Sequence, residues 1–341
     1  MHLDQKYRFY LGWAAKPFAM LYSSFREVIF IGKSYHPNHT IPTSNFHTDA
    51  DALFLTNPSN LFSDPQYQRT GALFFKDRTM MPESKKSWLR KVLPKPLSHH
   101  IKENRLWTGE SGHMQDSGVV VVDKWRHFVS LLLATRLNGP DRDGDKDAGK
   151  KGVYEMVYGD KETFWLSWEL AGDLEYAFHD GSAGTMGVLR RPGEIQDEDL
   201  EEDEEEYEWV EEEDEEEEEP EPPAPKAELK RTPVKVEVAP ADSARTICSP
   251  QLLHLDRRGK PIWFNGWLAT KKLDNLKFRP FEAYMREPPV TKHRKDAWEL
   301  KGNNVVCLTS EEYFDFSREE EKILNGLLEA AQKNFEERKG D

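Results

Sequence analysis

Gln115-Asp116-Ser117-Gly118-Val119-Val120-Val121-Val122-Asp123-Lys124 is the stretch on which the architecture turns. Four consecutive β-branched residues without polar alternation read as a strand buried on both faces. Directly after it, Trp125–Leu137 has apolar residues at helical spacing. Before it, Phe18–Phe30 (FAMLYSSFREVIF) reads as a helix leading into a strand over Val28–Ile31. This succession of helices and buried strands predicts an α/β fold. Further on, Gly159-Asp160-Lys161-Glu162-Thr163-Phe164-Trp165 opens an aromatic-rich helix. Ile323, Leu324, Leu327, Leu328, Ala331 and Phe335 share one face of an amphipathic last helix, most simply a packing stripe.

Charge divides the chain more sharply than hydropathy does. Its 341 residues include 47 Lys+Arg and 62 Asp+Glu, a formal net charge of −15, which excludes a generic cationic nucleic-acid binder. Yet 19 of those acids lie between Asp197 and Glu219, a window without a single base. Outside it stand 47 basic against 43 acidic residues, a net of +4. Like charges at that density repel, and the PEPPAPK that follows blocks regular structure, so the expectation for this segment is disorder. Tyr207, Trp209 and Val210 are its only docking-motif hint. The predicted organisation is a first globular part at 1–193, an acidic, Pro-rich insert at 194–245, and a second globular part at 246–341. With 10 Trp and 18 Phe the chain can build a sizeable core. No apolar run approaches the ~20 residues of a membrane span, and Met1–Tyr10 has no signal-peptide core. Cys248 and Cys307 exclude a disulfide framework and a Cys-based zinc site; one bridge or two half-buried thiols both remain open.

Four segments hold the candidate chemistry. Asp49-Ala50-Asp51 sets two carboxylates at i and i+2 before the apolar Leu53-Phe54-Leu55. On a turn such a pair can face one hard cation, whereas alone it is commonly a solvated turn. Gln115–Lys124 places Asp116, Ser117 and Gly118 at the mouth of the buried strand, where a carboxylate and backbone could meet a sugar hydroxyl. The Asp160-Lys161-Glu162 triplet offers two more carboxylates, with helix capping as the ordinary alternative. His254-Leu255-Asp256-Arg257-Arg258-Gly259-Lys260-Pro261-Ile262-Trp263 combines an imidazole with a Gly-Lys-Pro turn. That pairing can supply a metal nitrogen and a phosphate-binding ammonium, or His254 can be a satisfied core histidine.

DADALFL, TGALFF-DR, DSGVVVVDK, GDKETFW and QLLHLDRRGKPIWFNG, in this order, resemble the fungal α-mannosyltransferases of glycosyltransferase family 71. The likeness runs from about Phe18 to Trp267 and is interrupted by the acidic insert. It implies a GT-A type (Rossmann-like) fold, GDP-mannose as donor, Mn²⁺ as cofactor, and transfer with retention to mannan or glycoprotein glycans. The linkage would be α-1,3, with α-1,2 as the alternative within the family; the alternative from another class is a non-catalytic truncated homologue whose acidic insert binds a basic partner. On this resemblance Asp49, Asp51 and His254 are the expected metal ligands. Lys260, with Gly259, Ser117 and Gly118, is expected at the donor, and Asp116, Asp160 and Glu162 are the expected catalytic carboxylates. A charge-neutralising cation suits the departing diphosphate. Golgi localisation follows from the same likeness, as does a membrane anchor upstream of the present chain. Nucleic acid is not an expected partner.

Two departures stand out. The likeness implies nucleotide-binding strands well before the metal motif, and too few residues precede Asp49 to hold them, so the expectation is an N-terminally truncated chain. In addition, Gly32–Thr48 (GKSYHPNHTIPTSNFHT) separates EVIFI from DADALFL. Deleting it restores a continuous strand-to-carboxylate motif, as a translated intron would explain. As a genuine loop it would present Asn38-His39-Thr40 as a glycosylation acceptor. The irregular spacing of His36, His39 and His47 speaks for an incidental cluster.

Overall fold

Val119–Val122 lies at the centre of a computed structural model that describes residues 12–32, 52–145, 148–192, 194, 244–266, 268, 278, 280–289, 298–301 and 305–339. Asp49, Asp51, the three histidines of the 32–48 segment, Trp267 and the acidic window all lie outside the described residues, as does the side chain of Phe335. In chain order the first part comprises α1 (Ala15–Tyr22), β1 (Glu27–Ile31), β2 (Ala52–Phe54), α2 (Pro65–Thr70), β3 (Ala72–Lys76), α3 (Lys86–Val92), α4 (His99–Glu103) and α5 (Arg105–Thr108). It continues with β4 (Gln115–Asp123), α6 (Phe128–Leu137), α7 (Val153–Met156), α8 (Thr163–Ala171), β5 (Ala177–Phe178) and β6 (Ala183–Gly187). The second part comprises β7 (Arg245–Ser249), β8 (Leu252–Leu255), β9 (Pro261–Asn265), β10 (Ala283–Arg286), β11 (Trp298–Leu300), β12 (Val306–Ser310), β13 (Phe314–Asp315) and α9 (Arg318–Lys339).

The chain is a mixed α/β protein. Its strands form sheets of order β1-β4-β3-β5, β13-β10-β6-β8-β9-β2 and β11-β12-β7. Among the described residues only β3 and β5 pair in parallel; the other ladders are antiparallel. All nine residues of β4 are buried because both of its faces are covered. Val120 and Val122 pack with Phe74 against Leu131 and Ala134 of α6 and Phe164, Trp165 and Trp168 of α8. Val119 and Val121 pack on the opposite face against Leu73, Phe75, Ile262 and Trp263. Each fully buried valine contributes roughly 1.5–3 kcal/mol, which accounts for a run with no polar alternation.

Local signals set the boundaries. Asp64 caps α2 through the Gln66 and Tyr67 amides, Pro65 begins it, and Gly71 at φ +77° ends it in the left-handed region. Seven of the nine residues of α8 are buried, as expected of a helix that is apolar nearly all round. Leu324 and Leu328 bury the packing face of α9, and Glu319, Glu320 and Glu321 suit the positive end of its dipole.

The two parts share structure across the acidic segment. Strand β6 lies between β10 and β8, and Arg190 and Thr246 exchange backbone hydrogen bonds of 2.9 and 2.8 Å. Cys248 and Cys307 face each other across β7 and β12 and form a disulfide, which resolves the alternatives left open above. No helix among the described residues is long and apolar enough to cross a membrane.

Candidate active site

Asp116 leaves the apolar run of β4 at its first turn of strand, opposite Phe75 of β3. It is 1 % exposed, yet each of its oxygens has a partner. Oδ1 accepts the Gly118 amide at 2.9 Å and the Asn265 side-chain amide at 3.1 Å, and Oδ2 lies 2.9 Å from His254 Nε2. Burial pushes this carboxyl upward, but the hydrogen bond and charge of His254 outweigh it and hold Asp116 below the usual range.

The β8–β9 hairpin delivers both partners. Its turn is closed by Asp256, whose carboxylate accepts the Arg258 and Lys260 amides at 2.7 and 2.9 Å, and by Gly259 at φ +79°. The register sets His254 against Trp263, with rings stacked 4.0 Å apart, and Leu252 and Ala52 on either side of Asn265. Gly118 permits the hairpin to approach: a Cβ there would come within 3.0 Å of the Trp263 ring and 3.1 Å of Asn265 Nδ2. Phe75, Lys76, His179, Ser182 and His254 gather beside this pair around a space with no room for a water-sized molecule.

Behind Asp116 sits a second set of charges. Lys16 Nζ reaches Ser117 Oγ at 2.8 Å and Asp160 at 3.1 Å, which ties α1 to the strand mouth and to the loop before α8. Lys161 Nζ lies 2.7 Å from Asp77 Oδ2. Burial disfavours the Lys161 ammonium, but Asp77 and Asp116 more than compensate, and its pKa is raised. Glu162 is fully buried and accepts the Met114 and Gln115 amides and the Trp165 indole. Burial pushes its carboxyl up to about 7 despite these three donors.

The structure thus brings Asp116, Ser117, Gly118, Asp160, Glu162 and His254 together around the start of β4. Gly259 and Lys260 stay apart, at the hairpin turn, where Lys260 is exposed. Asn265 and Lys16 belong to this cluster but carry no motif of their own. Asn265 stands inside QLLHLDRRGKPIWFNG, four residues past a proline in a strand that alternates toward Asp116. Lys16 has no sequence signal, since its partners are more than a hundred residues away.

The residues bounding 33–51 also meet here. Gly32 N donates to Gly118 O at 2.6 Å, and Ala52 pairs with Asn265. Among the described residues no three His, Cys, Asp or Glu side chains converge as a metal site. What is present is a partial donor set, one imidazole oriented by a carboxylate, an arrangement that fits a divalent cation once further oxygens are added.

A family profile described as "Mannosyltransferase putative" matches residues 1–256. "Putative alpha-1,3-mannosyltransferase MNN15" of Candida albicans is 25% identical over 304 residues, covering 83% of this chain and 31% of the relative. "Putative alpha-1,3-mannosyltransferase MNN12" of the same yeast is 29% identical over 201 residues, covering 55% of this chain and 21% of the relative. "Alpha-1,3-mannosyltransferase MNT3" of Saccharomyces cerevisiae is 26% identical over 272 residues, covering 72% and 34% respectively. The chain therefore spans about a third or less of the length of these relatives. With the family match running through both the β4 cluster and the first half of the hairpin, and with five motifs in the order the resemblance requires, the chain belongs to this mannosyltransferase family.

Proposed function

We propose that the chain holds the sugar-transfer elements of a metal-dependent α-1,3-mannosyltransferase of GT-A type, using GDP-mannose and extending mannan or glycoprotein glycans in the Golgi lumen. The linkage rests on the relatives' names. The observation that supports the metal-dependent reading most directly is the placement of Gly32 and Ala52. They flank the segment that ends in Asp49 and Asp51, and each is bonded to a neighbour of Asp116.

In this reading Asp49, Asp51 and His254 hold Mn²⁺, which when bound acts as a Lewis acid on the diphosphate. Asp116 accepts from His254 Nε2 and so fixes the ring tautomer, leaving Nδ1 with its lone pair. Asp160, neutralised by Lys16, and the Ser117–Gly118 backbone line the mouth of β4 and orient donor mannose or acceptor hydroxyl. Glu162 grips the Met114 and Gln115 amides and thereby positions the start of β4; it acts through the strand rather than on substrate. Lys260 stands apart at the exposed turn, and its assignment to the β-phosphate rests on the family resemblance alone. The Cys248–Cys307 bridge suits an oxidising lumen.

The test is incubation of the purified chain with GDP-mannose, Mn²⁺ and an α-mannoside disaccharide, with linkage analysis of the product and a parallel thermal-shift measurement. An α-1,3-linked product lost on chelation is expected, together with stabilisation by GDP only when Mn²⁺ is present. Absence of any metal-dependent stabilisation by GDP would overturn the reading. An α-1,2 product would overturn the linkage alone.

A further inference from the structure

The one-sided charge of residues 197–219 has a counterpart on the folded surface. Outside that window the chain has an excess of four positive charges. Between Lys85 and Arg105 stand seven Lys and Arg against one acid, Glu103, an excess of six. This stretch therefore holds more than the whole excess, and the rest of the body is net negative. It folds as α3, α4 and α5.

Burial of Leu89, Leu93, Ile101 and Leu106 in the core turns the charged side chains outward. Arg90, Lys91, Lys95 and Lys102 are exposed, and Lys86 is half-buried. Lys86 and Arg90, one helical turn apart, each rest 5.5 Å from the centre of the Trp107 ring, which sets the cations of α3 beside α5. Lys95 Nζ donates to the Arg90 carbonyl at 2.8 Å. Lys85 pairs with Glu83, and Arg105 with Glu287. Among the described residues the other five cations have no carboxylate partner.

The acidic window leaves the folded body next to this surface. Leu189 precedes it and Ile247 follows it, and both pack, with Met80, in the cluster of Met285, Trp298, Val306 and Leu308. Five residues lead from Met80 to Lys85, at most about 18 Å, and eight lead from Leu189 to Asp197, a reach of up to about 28 Å. The start of the window is thus within reach of α3. The 23 residues from Asp197 to Glu219 are long enough to follow the surface from α3 to α5.

We propose that the outer face of α3–α5, built on Lys86, Arg90, Lys91, Lys95 and Lys102, is the docking surface for the acidic window 197–219 of the same chain. Carboxylates that repel one another gain partners there, and five cations without a carboxylate gain theirs. Each exposed ion pair is weak. A shared chain, however, holds the two surfaces at an effective concentration in the mM range, so several weak pairs suffice. Neither donor nor metal takes part, so this docking and the transferase reading fail independently.

Zero-length carbodiimide cross-linking of the purified full chain tests it, on a mixture of ordinary and nitrogen-15-labelled protein read by mass spectrometry. Acids of 197–219 are expected to link to Lys86, Lys91, Lys95 and Lys102 within one chain. These links should outnumber at least tenfold those to Lys322 and Lys333, which are also exposed but stand among the acids of α9. The yield should fall at least tenfold between 0.1 M and 1 M NaCl, as the Debye length shrinks from about 10 Å to about 3 Å. A chain with Lys91→Glu and Lys102→Glu, verified as folded by its thermal transition, should lose most of the links at Lys86 and Lys95. Absence of links to the window, links spread evenly over Lys322, Lys333 and the α3–α4 lysines, or an unchanged yield in that variant overturns the proposal. Links that join labelled to unlabelled chains place the window on a second copy and overturn docking within one chain.

Discussion

Among the described residues, two buried imidazoles sit within hydrogen-bond distance of a carboxylate, His127 of Asp173 and His254 of Asp116, in different surroundings. At the start of α6, His127 Nδ1 lies 2.7 Å from Asp173 Oδ2, and Nε2 lies 2.8 Å from the Thr70 carbonyl; Ser130 Oγ and the Trp168 indole complete the shell. At the mouth of β4, His254 Nε2 lies 2.9 Å from Asp116 Oδ2, and the ring stacks on Trp263. Both carboxyls are held below their usual range, with burial opposing and the histidine prevailing. The pair alone therefore says little about role. In the first, both ring nitrogens are taken and helix, strand and loop are locked together. In the second, Asp116 takes one nitrogen, and the other makes no hydrogen bond among the described residues.

The largest expected effect falls on the closed pair. His127→Ala empties a fully packed position and strands the Thr70 carbonyl and the Trp168 indole, both buried, so a loss of about 3 kcal/mol is expected. Urea denaturation measures it. Mn²⁺-dependent GDP binding per folded molecule should be unchanged. A variant of wild-type stability with impaired binding would reverse the roles assigned to the two pairs.

Glu162 sharpens the contrast, as a buried carboxylate with no imidazole beside it. Its folded pKa of about 7 lies above the ordinary 4.5, so between these values the native state holds a proton that the unfolded chain releases. Stability from this group is full at low pH and falls as pH rises from about 4.5 to about 7, by up to about 3 kcal/mol. His113, lowered by burial to about 4, has the opposite slope over much the same window. The group's contribution is therefore the difference between wild type and Glu162→Gln in unfolding free energy at pH 5 and pH 8. Identical slopes in the two proteins would show that Glu162 stays ionised among its three donors.

How much of this was legible follows from sequence distance. The β4 run, the helix after it and the aromatic α8 are local patterns that the folded chain has where periodicity places them, with boundaries moved by a few residues: the helix read over Trp125–Leu137 starts at Phe128, after a turn; of the α9 stripe Leu324 and Leu328 are buried, whereas Ile323 is exposed. Asp116 and His254 were both legible as polar residues at apolar strand ends. Their contact was not, because 138 residues separate them and nothing periodic links a strand mouth to a distant hairpin. The two readings of His254, ligand or satisfied core residue, are not exclusive: it is buried and stacked on Trp263 while one nitrogen stays outside the Asp116 bond.

The smallest effect is the most discriminating. Asp116→Asn preserves shape, and the new amide can still accept from Gly118 N through its oxygen, so the thermal transition should move little. Its nitrogen then faces His254 Nε2. An aspartate can only accept there, which places the imidazole proton on Nε2 and a lone pair on Nδ1; an amide N–H donates, which makes Nε2 the acceptor and moves the proton to Nδ1. A protonated Nδ1 cannot bind a cation. The expected result is a ~10–100-fold loss in Mn²⁺-dependent GDP affinity, equal to about 1.4–2.7 kcal/mol, read by calorimetry. Asp173→Asn likewise swaps an acceptor for a donor, here at His127 Nδ1, which keeps the proton on Nε2 facing the Thr70 carbonyl; no cation is in question there, and that affinity should be untouched. If the two asparagine variants bind alike, the open nitrogen of His254 has no function that the closed pair lacks, and the distinction drawn between the two sites collapses.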